Sequence, residues 1–230
     1  MRPAAINRNS WVADFSLQRK RMVEEQIAAR GVRDKNVLRA MEKVHRHKFV
    51  PADLRGRAYS DSPLPIGAGQ TISQPYIVAC MIEALAIKPG DKALEIGAGS
   101  GYAAAVLAEL ADEVYAIECI SALAEMATWN LQAAGYTNVH MLHADGTKGW
   151  SEHAPFDAIL VSAGAPGVPE SLKTQLAPGG RMVIPIGTSM MYQKLVCVTR
   201  QKDGSFAQHD LTDVRFVPLV GEEGWRPDGV

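Results

Sequence analysis

A chain of 230 residues is long enough for one substantial α/β domain with an added lobe, but short for two units that each bury a core. Hydrophobic residues make up 47% and charged residues 21%, which excludes extended disorder, and no run reaches the about 20 apolar residues of a membrane span. With 24 Lys+Arg against 25 Asp+Glu the formal net charge is -1, so no basic field marks the chain as a nucleic-acid binder.

The N-terminal MRPAAINRNSW has neither an apolar core nor a small-residue cleavage site, so no secretory signal is expected there. From Leu17 to Arg30 apolar residues recur at helical spacing (Leu17, Met22, Val23, Ile27), with Gly31 as the stop, and the basic run Arg19, Lys20, Arg21 reads as its solvated face. A second helix is predicted from Asn36 to His45, with Val37, Leu38, Met41 and Val44 on one side and Pro51 beyond it. Together these helices predict an N-terminal lobe. The following AYSDSPLPIGAGQTISQP is dense in Gly, Pro and Ser, and is expected to be a long irregular connection of the kind that carries function.

After the helix YIVACMIEALAI and a turn at Pro89-Gly90, strands and helices alternate: KALEIGAG, then YAAAVLAELA, EVYAIE, ALAEMATWNLQAAG, NVHMLHAD, FDAILVSAG, PESLKTQLAPGG and RMVIPIG. Short apolar strands separated by helices predict a doubly wound α/β sheet covered on both faces. The end breaks the rhythm. MYQKLVCVTR, the turn QKDGS and LTDVRFVPLV read as an antiparallel C-terminal hairpin, with RFVPLV as an edge strand. The expected division is 1–75 as helical lobe and substrate loop and 76–230 as cofactor domain, in one compact unit.

LEIGAGSGY sets Gly97, Gly99 and Gly101 between a strand and a helix, where glycines permit a tight turn and a close backbone approach to a ligand. A dinucleotide site would place a third glycine of GxGxxG where Tyr102 stands, which counts against a nicotinamide oxidoreductase. Upstream, Glu95 suits a ligand bearing an ammonium. Glu118 closes the next strand 21 residues beyond Gly97, the distance at which such folds offer a carboxylate to ribose hydroxyls. Asp145 and Gly146 close a third strand at the same sheet edge, where an acceptor could meet an adenine amino group. Singly, each residue has a structural reading as turn glycine, exposed strand end or turn cap. As three successive strand ends in register they point to a nucleoside cofactor.

The order and spacing of LPIGAGQTISQPYIVA, LEIGAGSGY, the DG pair, PFDAILVSA, LAPGGRMVIPIG and VRFVPLV resemble bacterial protein-L-isoaspartate O-methyltransferases from about Met22 to Val220, with QTISQP the most specific mark. The resemblance implies a Rossmann-like class I methyltransferase sheet and S-adenosylmethionine as cofactor, released as S-adenosylhomocysteine. It also implies methyl transfer to the free α-carboxylate of L-isoaspartyl residues in damaged proteins and peptides. It assigns Ser73 to the active site, with Thr71 as an assisting donor; without the resemblance, Ser73 before Gln74-Pro75 reads as a helix N-cap. Carboxylates with an intrinsic pKa near about 3.5 to 4 are ionised at neutral pH, so no general base or metal is called for. The six histidines show no metal-ligand pairing, and RFVPLV becomes a candidate groove wall. Against the usual pattern this chain carries Cys119 after Glu118, Thr147 after the DG pair and Gly164 in SAGAPG.

Cys80, Cys119 and Cys197, few and unpaired in spacing, suit a reducing compartment, so a cytoplasmic single chain acting on proteins, not nucleic acid or membrane, is expected. Two alternatives remain from the sequence: a same-fold methyltransferase for another peptide or small-molecule carboxylate, and a non-catalytic cofactor-binding module.

Overall fold

The structure, a computed structural model, describes residues 14–189 and 191–226; the N-terminal MRPAAINRNSW read above lies outside them. The chain enters at α1 (Phe15–Arg21), whose N–H groups at Ser16 and Leu17 donate to the Asp14 carboxylate, a side-chain cap. One helix was expected through Arg30. Instead the helix loosens into a π segment (Met22–Ile27) and tightens into a 3-10 turn (Ala28–Arg30), while Gly31 at φ +106 ends it as expected. The π segment carries the buried Met22, Val23 and Ile27, so the change of pitch sits where the helix meets the core. Asp34 caps α2 (Lys35–Lys43), and Glu83 of α3 (Pro75–Leu85) accepts from the N–H groups of Arg33 and Asp34, tying the lobe to the main sheet's own helices.

The segment expected to be irregular contains a hairpin, β1 (Leu64–Gly67) with β2 (Gln70–Ile72), turning at Gly67-Ala68-Gly69. Leu64, Ile66 and Ile72 supply its buried face, a period-2 pattern that the surrounding prolines and glycines hid.

Five strands follow in the α/β rhythm: β3 (Lys92–Ile96), β4 (Glu113–Glu118), β5 (Val139–His143), β6 (Phe156–Val161) and β7 (Leu176–Ser189). Antiparallel β8 (Tyr192–Arg200) and β9 (Phe206–Val214) complete a seven-stranded sheet of order β5-β4-β3-β6-β7-β8-β9. The chain begins in the middle at β3, steps outward to β5, then returns to β6 on the other side. The strand order therefore reverses between β3 and β6, the crevice where open α/β sheets bind ligands.

Alternation along the strands splits the core. Ala93, Val114, Ala116, Ala158, Leu160, Val183 and Cys197 face a cluster that includes the lobe, α3, α4 (Tyr102–Ala108) and α5 (Ser121–Ala134), while Leu94, Ile96, Ile117, Ile159, Val161, Met182 and Ile184 face a second one. That second face is covered thinly, by α6 (Glu170–Thr174), Trp150 and the returning tail at Leu219. Lobe and sheet share one continuous cluster. Among the described residues no helix is long and apolar enough to cross a membrane.

Two further expectations need correction. The helix read over PESLKTQLAPGG ends at Thr174, because Leu176 already pairs with Phe156 and opens β7. The last strand is FAQHDLTDV, not RFVPLV: residues 215–220 lie past β9, where Phe216 N–H donates to Gln193 Oε1 (2.7 Å) and Gln193 Nε2 donates to Phe216 O (3.1 Å), so one side-chain amide stands in for a strand partner. The fully buried Arg46 ties the lobe to α4, donating from Nε to Ala58 O at 2.8 Å, its guanidinium carbon lying 4.8 Å from the Tyr102 ring centroid.

Candidate active site

The loop between β3 and α4 carries Gly97, Gly99 and Gly101 at φ +81, +56 and +87. Gly101 shows why a side chain is excluded: besides its left-handed backbone, an added Cβ would lie 3.1 Å from Leu131 Cγ and 3.3 Å from the Ala127 carbonyl. Over the loop is a small slot of about 40 Å³ lined by Thr71, Ser73, Glu95, Gly97, Gly99 and Ser162, among others. Ile66 from the β1–β2 hairpin packs against the loop, with Cδ1 3.1 Å from where a Cβ on Gly99 would stand.

Glu95 is buried (1% exposed) on β3 with Oε1 accepting from Ser162 Oγ at 3.2 Å, while Oε2 has no hydrogen-bond partner among the described residues. Burial, reinforced by the negative charge of Glu118 and opposed in part by the Ser162 hydroxyl, holds its carboxyl well above the ordinary range. The neighbouring Ser100 Oγ is likewise buried and unpartnered. Two orphaned polar groups beside a glycine loop fit a ligand that brings a cationic donor, as the amino group of a methionine moiety does.

Glu118 ends β4. Its Oε2 accepts from Gly99 N–H (2.8 Å) and its Oε1 from Ile120 N–H (3.0 Å), so the carboxylate braces the glycine loop and retains lone pairs for further donors. Asp145 is more committed. Oδ1 accepts from both the N–H and the hydroxyl of Thr147, and Oδ2 accepts from Glu222 N–H at 2.8 Å. Burial alone would raise its pKa, but these hydrogen bonds, with Lys148 nearby, bring it below the usual value. Asp145 thus caps the turn, the structural reading, and also anchors the tail. Gly146 beside it lets the turn pack down, since a Cβ there would meet Ile96 Cγ2 at 2.6 Å.

Thr71 and Ser73 stand at the junction between the slot and a larger open cavity of about 450 Å³, whose far wall is Asp213, Val214, Arg215, Phe216 and Val217. The tail therefore forms a groove wall, although not as a strand. Ser73 is not the cap of α3: that position belongs to Gln74, and no side chain caps the helix. Sequence reasoning missed Ser162, which lines both spaces and bonds Glu95; its position at the end of β6, across the switch point, was the available signal. Asp213 was missed too, having no motif.

The three departures have separate explanations. Thr147 is fully buried and serves Asp145 and the tail, its Oγ1 accepting from Glu223 N–H at 3.2 Å. Gly164 leaves room for the Gln193 amide, the side chain that holds Phe216: a Cβ here would lie 2.4 Å from Gln193 Nε2 and displace it. Cys119 is an exposed residue outside the slot, and its thiol is pushed up to about 11 by partial burial of the sulfur and by Glu118.

The family profile described as Protein-L-isoaspartate(D-aspartate) O-methyltransferase (PCMT) matches residues 17–224. Protein-L-isoaspartate O-methyltransferase 2 of Marinobacter nauticus is 58% identical over 212 residues, covering 92% of this chain and 97% of that protein. The Geobacter metallireducens protein-L-isoaspartate O-methyltransferase is 55% identical, covering 92% and 98%. Among solved structures, a protein-L-isoaspartate O-methyltransferase superposes with TM-score 0.80 at 29% identity over 90% of this chain and 67% of the other. A Plasmodium falciparum structure, described as a beta-aspartate methyltransferase (PCMT) in complex with S-adenosyl-L-homocysteine, gives 0.77 at 29% identity over 88% and 98%. With its switch-point crevice, its glycine loop and this likeness along nearly its whole length, the chain belongs to the protein-L-isoaspartate (D-aspartate) O-methyltransferase family.

Proposed function

We propose that the protein repairs damaged polypeptides by methylating the free α-carboxylate of L-isoaspartyl residues, with Ser73 and Thr71 positioning that carboxylate at the junction of slot and cavity. The single observation that carries the assignment of roles is this junction, where the residues of QTISQP separate the glycine-loop slot from an open groove. S-adenosylmethionine supplies an electrophilic methyl group on a sulfonium sulfur. Glu95 would hold the cofactor's ammonium, the glycine loop of Gly97, Gly99 and Gly101 would receive its methionine portion, Glu118 would take the ribose hydroxyls, and Asp145 with Gly146 would border the adenine.

The substrate carboxylate is already ionised, so the chain needs to orient and to exclude water, not to remove a proton. Hydroxyl donors at Ser73 and Thr71 would orient one carboxylate oxygen at the border between the slot and the groove. The bound cofactor would supply the methyl group and leave as S-adenosylhomocysteine; because carboxylate and sulfonium charges would cancel as they meet, a site that excludes water would favour the reaction. The continuous core supports one compact unit, with residues 1–75 as substrate-side lobe and 76–230 as cofactor domain, working as a single chain in the cytoplasm.

Labelled S-adenosylmethionine with a matched pair of short peptides, one isoaspartyl and one aspartyl, tests this reading. Base-labile label on the isoaspartyl peptide alone supports it. No label on either peptide, with cofactor bound, sends the search to other carboxylates and overturns it.

A further inference from the structure

Ser162 follows β6 directly, and its N–H donates to Ile96 O at 2.8 Å, so the ladder of the sheet fixes its backbone beside β3. Strand alternation puts it on the face of Leu160, the face that Glu95 shares with Ala93, and there its Oγ donates to Glu95 Oε1 at 3.2 Å. Ser162 lines the groove as well as the slot, so its place alone does not say which ligand it serves. The hydrogen bond does. A serine hydroxyl has one proton to give, and here that proton goes to the slot's carboxylate, not into the groove.

The other neighbours of Glu95 do not supply what Ser162 does. From β4, Glu118 opposes ionisation by its negative charge; from α4, the Tyr102 hydroxyl is turned to Met41 Sδ at 3.8 Å, and the backbone at Ala104 favours the carboxylate less than Ser162 does. Ser162 is the one side chain among the described residues that donates to Glu95. A cationic ligand needs the ionised form, and a buried carboxylate with a fixed donor reaches that form more readily. We infer that Ser162 is a positioning residue for the cofactor: its hydroxyl holds the Glu95 carboxylate and stabilises its ionised form, leaving Oε2 for the ligand's ammonium. The inference rests on the cofactor placement proposed above and adds to it a residue that acts through Glu95.

The test is S-adenosylhomocysteine binding to the full chain, followed by calorimetry across a pH series in buffers of different ionisation enthalpy. In Ser162→Ala, Kd is expected to rise about tenfold at the acid end of the series, where Glu95 is protonated in the free protein. The midpoint of proton release should move up by about one pH unit, because both changes report the same lost hydrogen bond to the carboxylate. Ser162→Thr keeps the hydroxyl and should follow the wild type in both. With cofactor saturating, kcat and KM of Ser162→Ala for an isoaspartyl peptide should stay near the wild-type values. An unchanged Kd, with or without a lower kcat, overturns the inference while leaving the methylation reading intact. So does a weaker Kd with an unmoved midpoint, the mark of a misshapen slot, or a Ser162→Thr profile that matches Ser162→Ala. Kd and proton release in Glu95→Gln equal to those of the wild type overturn the ammonium placement, and the inference with it.

Discussion

Glu95→Gln isolates the charge of one buried carboxylate while keeping its shape. In the free protein Glu95 is 1% exposed, holds one hydrogen bond from Ser162 and leaves Oε2 unpartnered among the described residues, so its ionised form is costly and burial holds its carboxyl well above the ordinary carboxylate range. Between the ordinary carboxylate value and the raised one the folded protein holds a proton that the unfolded chain has lost, so this group lowers stability as pH rises through that interval. A cofactor ammonium reverses the balance by favouring the carboxylate. Binding should therefore expel a proton, and affinity should rise with pH until Glu95 is ionised in the free protein. Charge-assisted hydrogen bonds contribute about 1.5–3 kcal/mol, so Glu95→Gln should weaken S-adenosylhomocysteine binding by roughly ten- to 150-fold. Calorimetry in two buffers of different ionisation enthalpy measures both effects. The wild type should release protons that the variant does not, and the ligand-free variant should unfold at a Tm no lower than the wild type. A variant Kd within about twofold of wild type, with unchanged proton release, would refute this account of Glu95.

Ser73→Ala should reduce kcat while leaving cofactor Kd unchanged, since Ser73 lines the groove and caps no helix; equal losses in both, by kinetics and calorimetry, would return Ser73 to a structural role. Gly146→Ala forces a Cβ to within 2.6 Å of Ile96 Cγ2 and should cost about 1–3 kcal/mol in urea unfolding, as overpacking of a dense core does. His47, stacked on Phe15 at 4.1 Å with Nδ1 2.7 Å from the Tyr59 hydroxyl, has its pKa lowered to about 4, first by burial and then by His45 and Arg19. The unfolded chain binds the extra proton first, so stability should fall as pH drops from about 6.5 towards 4, and His47→Gln should flatten that part of a Tm–pH profile.

Much of this was legible because parallel strands between helices are short, apolar and bounded by turns, as ALEI, VYAIE and FDAILV are. The glycine loop and Glu118 followed from position alone. What escaped notice did so for physical reasons. The β1–β2 hairpin alternates correctly but is built with Pro63, Pro65 and three consecutive left-handed residues at its turn, which reads as loop. β9 is exposed along most of its length, so no inward face reveals it, while the apolar FVPL that follows looks like a strand and is held instead by Gln193 and Gly164. The hydrogen bonds of Asp145 were beyond reach because two of its partners, Thr147 and Glu222, lie 2 and 77 residues away, and only the nearer is a local signal.

The long return of the tail has a consequence for biosynthesis. Residues beyond β9 cross back from the sheet's edge to dock on Gly164 and Asp145, with Trp225 Nε1 donating to Gly164 O at 2.9 Å and Glu222 N–H meeting Asp145. These residues are synthesised after every strand of the sheet. A nascent chain can thus assemble its central strands and glycine loop before they exist, while the turn beside Asp145 and the wall at Phe216 form only once this segment has been made and docks. Copies that stall before it would share the sheet but lack a finished crevice.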